Sequence, residues 1–296
     1  MRPLLAEAAS LAVLAFAFSS MLSVGLAYRF RRIVRPLRNP RAVFRALVAN
    51  FVLVPLLAVA IERLVDLEAA LALGLFLLAA SAGAPFLIKL TTAARSDLAL
   101  SAALLLLLIP ATVIFLPLYV PLAMEHPSLQ GLSYVPSSQL ALGVPLLSTL
   151  ILPMIVGFVG RAVAPRWAGR IVPIAGKAAT VALAVVILAT FLANLPEVVR
   201  IVTTGAVIAP LLLIPGAFAM GFLISRKGRN TVLGLGTAQR NIAGAMVIAS
   251  RDFDDPDILV MVTVSSLLGI LLLFPIAWLL SRHRPHVGPP TPDRPR

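Results

Sequence analysis

Long runs of consecutive apolar residues, separated by short polar or basic segments, recur along the whole chain. About 20 such residues cross the ~30 Å hydrocarbon layer of a bilayer as a helix. Nine segments qualify: 4–27, 42–64, 69–88, 98–123, 138–160, 171–194, 198–223, 231–250 and 257–280. The runs are continuous rather than alternating and far exceed the roughly ten residues of a barrel strand. The pattern predicts an all-α polytopic membrane protein with about nine transmembrane helices. No loop is long enough for a separate water-soluble core, so 1–281 reads as a single transmembrane domain. The proline-rich polar remainder, 282–296, reads as a disordered cytoplasmic tail.

Two of these segments are interrupted. The third reads LALGLFLLAASAGAPFLIKL, broken by Ser81, Gly83 and Pro85. Proline removes a backbone donor and obstructs the preceding turn, and glycine loosens the helix, so a kink or an unwound stretch is expected. The eighth contains LGLGTAQRNIAGA, with helix breaks expected at Gly234 and Gly236 ahead of Thr237, Gln239, Arg240 and Asn241. The two interrupted segments run in opposite directions through the membrane. Such a pair in two inverted halves is the best sequence pointer to a transporter's substrate site. Asn50 joins the candidates because Pro55 is expected to bend the second segment and turn Asn50 towards the cavity.

Arg240 is the costliest member of the set. An arginine at mid-bilayer depth costs at least ~2.5 kcal/mol, so it needs a partner or a wet cavity. No segment carries a central acid, since Glu7 lies near one end of the first and Asp97 at a boundary. The partners left open are an anionic substrate, backbone carbonyls or water. For Asn241 and Gln239, hydrogen bonding between helices is the competing structural reading. Gln139, Ser148, Thr149, Lys177, Asn194, Thr203 and Thr204 read as packing or interfacial positions.

Composition agrees with this picture. The 296 residues are 60% hydrophobic and 12% charged, with a mean hydropathy of +1.00, far from soluble domains. The net charge of +13 does not indicate a nucleic-acid surface, because the basic residues recur at every second loop. One side collects Arg29, Arg31, Arg32, Arg35, Arg38 and Arg41, then Lys89 and Arg95, then Arg161, Arg166 and Arg170, then Arg226, Lys227 and Arg229, and finally the C-terminal arginines. The other side has only Arg2, Arg63, Arg200 and Arg251. The positive-inside rule places the first side in the cytoplasm, with the N-terminus outside and the C-terminus cytoplasmic. Without cysteine there is no thiolate metal site or thiol nucleophile. All three histidines lie outside the segments, and no Ser/His pair, paired carboxylates or phosphate-binding loop appears. The chain therefore reads as a non-enzyme with no cofactor.

Taken together, SSMLSVGLAYRF, RNPRAVFRALVANFVLVPLLA, SAGAP followed by DLALSAALL, and above all GTAQRNIAGA resemble the bile acid:sodium symporter superfamily, in particular its bacterial members. The resemblance covers about residues 15–280. It implies an inverted repeat in which two discontinuous helices cross near mid-membrane, organised as a core domain and a panel domain in a multi-pass protein of the cell inner membrane. Spans one to four would pair with six to nine. It also implies a secondary transporter of a small or amphipathic organic anion working by alternating access. Substrate would bind beside the crossing, at Arg240, Asn241, Thr237, Gln239, Ser81 and Asn50.

The chain departs from the family's sodium-coupled members. They place hydroxyl and amide ligands around the first crossing helix and the next span, and a glutamate in the second crossing helix. Here the corresponding fourth segment is SAALLLLLIPAT, and no acid stands near Gly236. The familiar sodium sites are therefore degraded, no metal is expected, and a proton stays open as coupling ion. On this reading Arg240 supplies as a fixed charge what bound sodium contributes elsewhere. A non-transporting membrane binding or sensor protein on the same fold is the alternative.

Overall fold

The computed structural model describes residues 2–28, 34, 36–126, 129, 132, 144, 147–193, 195–225 and 230–282. Among these residues twelve main helices are distinguished: α1 Arg2–Ala27, α2 Pro40–Val65, α3 Ala69–Ala80, α4 Leu87–Ala93, α5 Leu98–Met124 and α6 Leu147–Val163, followed by α7 Pro165–Ala193, α8 Leu195–Thr203, α9 Ile208–Ile224, α10 Asn230–Ala238, α11 Ile242–Asp252 and α12 Pro256–Arg282. Of the expected tail 282–296, only Arg282 is described, and it ends α12. Gln139 and Asn194 lie outside the described residues, as do positions 138–143 and 145–146 of the fifth segment.

The helices form an all-α, multi-pass membrane protein. Leu11, Leu56, Ile114, Leu188, Leu223 and Leu271 face outward, as a lipid-solvated surface requires. Helices α1, α6 and α7 pack on one another as a panel. The remaining helices build the core around Leu73, Leu75, Leu77, Leu105, Leu108 and Ile109, all fully buried. A long helix, a second helix, a broken helix and a long helix occur twice, as α1 to α5 and again as α7 to α12. Helix α3 lies against α11 and α4 against α10, so the two broken helices cross in opposite senses. That is the geometry of an inverted repeat.

Sequence and structure differ in instructive places. The third apolar segment does not stop at residue 88: helix ends at Ala80, and a second helix carries the chain on to Ala93. The seventh segment is not one span. Helix α8 ends at Thr203, and Gly205 turns the chain at a φ of 79° before α9 begins. The Thr204 hydroxyl bonds back to the Arg200 carbonyl at 2.7 Å, closing that end. Arg200 in turn is ion-paired with Glu68 and Asp257, which ties α8 to the starts of α3 and α12.

Helix α2 is interrupted more subtly. Residues Ala49–Leu53 form a π-turn ahead of Pro55, and Leu147–Ile151 repeats the device ahead of Pro153. Within α2, the Val54 N–H bonds to the Ala49 carbonyl. Pro55 has no N–H, so the carbonyls of Asn50 and Phe51 lose their helical donors. Tyr119 of α5 donates its hydroxyl to the Phe51 carbonyl. The Asn50 carbonyl is left for the centre of the molecule.

The panel is held by close backbone approach. A Cβ placed on Gly25 of α1 would lie 2.8 Å from the Gly157 Cα of α6, and one on Gly157 would lie 2.7 Å from the Leu22 carbonyl oxygen. Small residues at such crossings let helices touch where lipid gives no hydrophobic drive. Gly157→Leu is expected to destabilise the protein by about 1–3 kcal/mol through overpacking. Thermal unfolding in detergent measures this, with Gly169→Leu, whose nearest neighbour would be 3.9 Å away, expected to behave as wild type.

Candidate functional site

The two breaks meet at the centre of the core. In the first, Ser81–Phe86 is not helical, and Gly83 sits at a φ of 84°, a left-handed conformation that costs glycine little. A Cβ there would also lie 2.8 Å from the Ile109 nitrogen. The exposed backbone at Ala82 is served by one side chain from α5. The Ala82 N–H donates to the Thr112 hydroxyl at 2.9 Å, and that hydroxyl donates to the Ala82 carbonyl at 2.8 Å.

The second break is not where its glycines stand. Helix α10 runs through Gly234 and Gly236 to Ala238, and the chain leaves helical geometry at Gln239–Asn241. The two glycines serve contact instead: a Cβ would lie 3.0 Å from the Phe218 ring at 234 and 3.2 Å from Leu87 at 236. Asn241 sets the break, because its side-chain oxygen accepts from the Gly244 N–H at 3.2 Å and caps α11. Its own N–H donates to the Ser81 carbonyl at 2.8 Å, joining the two breaks directly.

Arg240 is 4% exposed and locks the crossing. A guanidinium has five N–H donors, and all five are used. Nε donates to the Leu78 carbonyl at 3.3 Å, and Nη1 to the Thr237 carbonyl and the Asn50 Oδ1, each at 2.9 Å. Nη2 donates to the Asn50 carbonyl at 3.3 Å and to the Ala79 carbonyl. Leu78 and Ala79 end α3 and Thr237 lies near the end of α10, so the guanidinium meets the electronegative ends of two helices. Every acceptor is a neutral oxygen.

The structure thus brings the expected residues together, in two different roles. Asn50 is fully buried inside the crossing rather than turned to the cavity: it grips Arg240, and its Nδ2 donates to the Thr237 hydroxyl at 3.3 Å. Thr237 and Ser81 are likewise enclosed. Gln239, Arg240 and Asn241 instead line a cavity of about 340 Å³ between core and panel, together with Ala84, Pro85 and Phe86 at the start of α4. Ser20 and Ser23 of α1, Tyr28 just after it and Thr180 of α7 form the facing wall. Gln239 Oε1 and Asn241 Nδ2 are buried there without a hydrogen-bond partner among the described residues.

Sequence reasoning missed Lys89. The pattern of basic residues groups it with the loop cations, but it belongs to α4, lines the same cavity and reaches the Thr180 hydroxyl of the panel at 3.5 Å. Its ammonium also lies 5.4 Å from the Phe86 ring centroid. The signal was present in the break itself: a helix interrupted at residue 81 must resume, and its second half places Lys89 beside the cavity. Thr112 was missed as well, two residues after Pro110.

A mostly apolar cavity edged by these polar groups, beside two crossing broken helices in an inverted repeat, defines a multi-pass α-helical membrane protein of the crossed-helix type. The model of the Sodium Bile acid symporter family matches residues 14–201, and the chain belongs to that family. It is also similar to the probable sodium/metabolite cotransporter BASS2, chloroplastic, of Oryza sativa subsp. japonica, at 26% identity over 250 residues, which cover 83% of this chain. The aligned region spans 58% of that rice protein's length.

Thr112→Val would leave the N–H and carbonyl of Ala82 without partners, at about 1–3 kcal/mol for each buried group. The expected result is a clear fall in thermal stability, with Thr112→Ser close to wild type. Unfolding midpoints of the two variants in detergent measure the difference.

Proposed function

We propose that the protein is a secondary transporter of small amphipathic organic anions, moving them by alternating displacement of core against panel. The observation that carries this reading is the Arg240 guanidinium, a full positive charge ringed by five neutral oxygens at the edge of the 340 Å³ cavity. A hard cation such as sodium seeks just such carbonyl and amide oxygens. Arg240 fills that place permanently, so an anion gains its counter-charge without sodium.

Arg240 acts on the anion through its field, since its donors are taken. Direct contacts fall to Lys89, Gln239 and Asn241, and the N-terminus of α11 adds a favourable dipole. The apolar remainder of the cavity accommodates the body of the substrate. The bilayer is the cell inner membrane, with the N-terminus outside and the C-terminus cytoplasmic. The distribution of basic residues supports that orientation, and the joining of Arg200, Glu68 and Asp257 puts those three at one end of the molecule.

Uptake and counterflow in proteoliposomes test the proposal with a panel of radiolabelled carboxylates and sulfonates, in sodium or choline buffer. Wild type is expected to take up at least one anion equally well in both buffers. Arg240→Ala should abolish uptake and Arg240→Lys should keep a fraction, while Lys89→Gln should raise KM by roughly three- to tenfold. Uptake unchanged in Arg240→Ala sinks the assignment of the charge. Strict sodium dependence of the wild type would overturn sodium independence. Saturable binding with no counterflow would identify a receptor on the same fold rather than a carrier.

A further inference from the structure

A second cavity, of about 250 Å³, opens in the core at its arginine-rich end and takes no part in the crossing. Leu100, Leu104 and Leu107 line it from one face of α5, and Leu233 of α10 contributes from another side. Arg41 and Arg45 stand on its edge, one turn apart on the first turns of α2, so both reach the same face. Among the described residues, neither guanidinium has a hydrogen bond or an ion pair. The same two arginines border an adjoining hollow with Phe44, whose ring is 67% exposed and points outward.

Two arginines without partners among the described residues, at the mouth of a leucine-lined recess, make an amphipathic hollow. A small hydrophilic anion would use the arginines and leave the leucines unanswered. A lipid uses both, and basic pockets between transmembrane helices are known resting places for anionic headgroups. We propose that this cavity binds an anionic phospholipid, with its phosphate between Arg41 and Arg45 and the start of one acyl chain along Leu100, Leu104 and Leu107. The lining belongs to the core and to the short segment that leads into α2, and none of it comes from the panel helices. A lipid held there tethers the core to one leaflet and leaves the panel free to move. The site stands apart from the central cavity, so it does not depend on the transport reading.

The purified full-length protein, in a zwitterionic detergent, is titrated with phosphatidylglycerol, phosphatidylcholine or inorganic phosphate and followed by thermal unfolding and native mass spectrometry. Phosphatidylglycerol alone is expected to raise the midpoint and to remain bound. Arg41→Gln with Arg45→Gln should weaken its apparent affinity on the order of tenfold. Leu107→Trp, which fills the recess without changing charge, should weaken it as well. Arg166→Gln with Arg170→Gln, the same charge loss on the exposed start of α7, should leave it unchanged. Each shift is read against that variant's own midpoint in phosphatidylcholine, which separates lost binding from lost stability. The proposal is overturned if the Arg41/Arg45 variant binds like wild type, if the α7 variant loses as much, or if inorganic phosphate alone reproduces the shift.

Discussion

The structure depends on satisfying broken backbone where no water is available to do it. Two helices that stop in the middle of a bilayer expose carbonyls and N–H groups, each costing several kcal/mol if left unpaired in hydrocarbon. One side chain, Arg240, takes four carbonyls and one amide oxygen from three separate helices. Thr112 serves both backbone groups of Ala82, and the Asn241 N–H meets the Ser81 carbonyl. With these few bonds the crossing is closed. The π-turn and Pro55 in α2 belong to the same solution, because they release the Asn50 carbonyl that Arg240 requires.

This arrangement sorts charge as well as hydrogen bonds. The carbonyl ends of α3 and α10 face the guanidinium, whereas the N-terminal ends of α4 and α11 face the cavity between core and panel. Negative helix ends are thereby neutralised internally, and positive ends are presented to whatever enters. No carboxylate is among the acceptors of Arg240, so its charge is solvated but not cancelled. A cavity beside such a charge favours anions by sign alone, before any specific contact is made.

Much of this was legible in the sequence, because hydrocarbon tolerates few polar residues and each one announces itself. SAGAP marked the first break, and Thr237, Gln239, Arg240 and Asn241 marked the neighbourhood of the second. What misled was the double meaning of glycine: Gly234 and Gly236 admit Phe218 and Leu87 rather than opening the helix, and Asn241 ends it by capping the next one. Asn50 stood out as an amide in an apolar run, yet its partner was distant in sequence and therefore unreadable. Lys89 was hidden by arithmetic, since an apolar run truncated at residue 88 turns a helix residue into a loop cation. Thr112 looked like any hydroxyl in a leucine-rich run. Only the position of Ala82 gives it work.

The 3.5 Å contact between Lys89 and Thr180 is a polar link from α4 to the panel across the cavity. On the proposed transport reading that seam must part on every turnover, and the strength of the fastening sets how fast it can do so. A buried ion pair there would act as a bolt, slow to draw and hard to replace. A long bond from an ammonium to a hydroxyl behaves more like a catch: it registers the two bodies when they meet and releases with little activation. Under that reading an anion at Lys89 would compete for the same ammonium, so occupancy itself would loosen the catch and couple loading to motion.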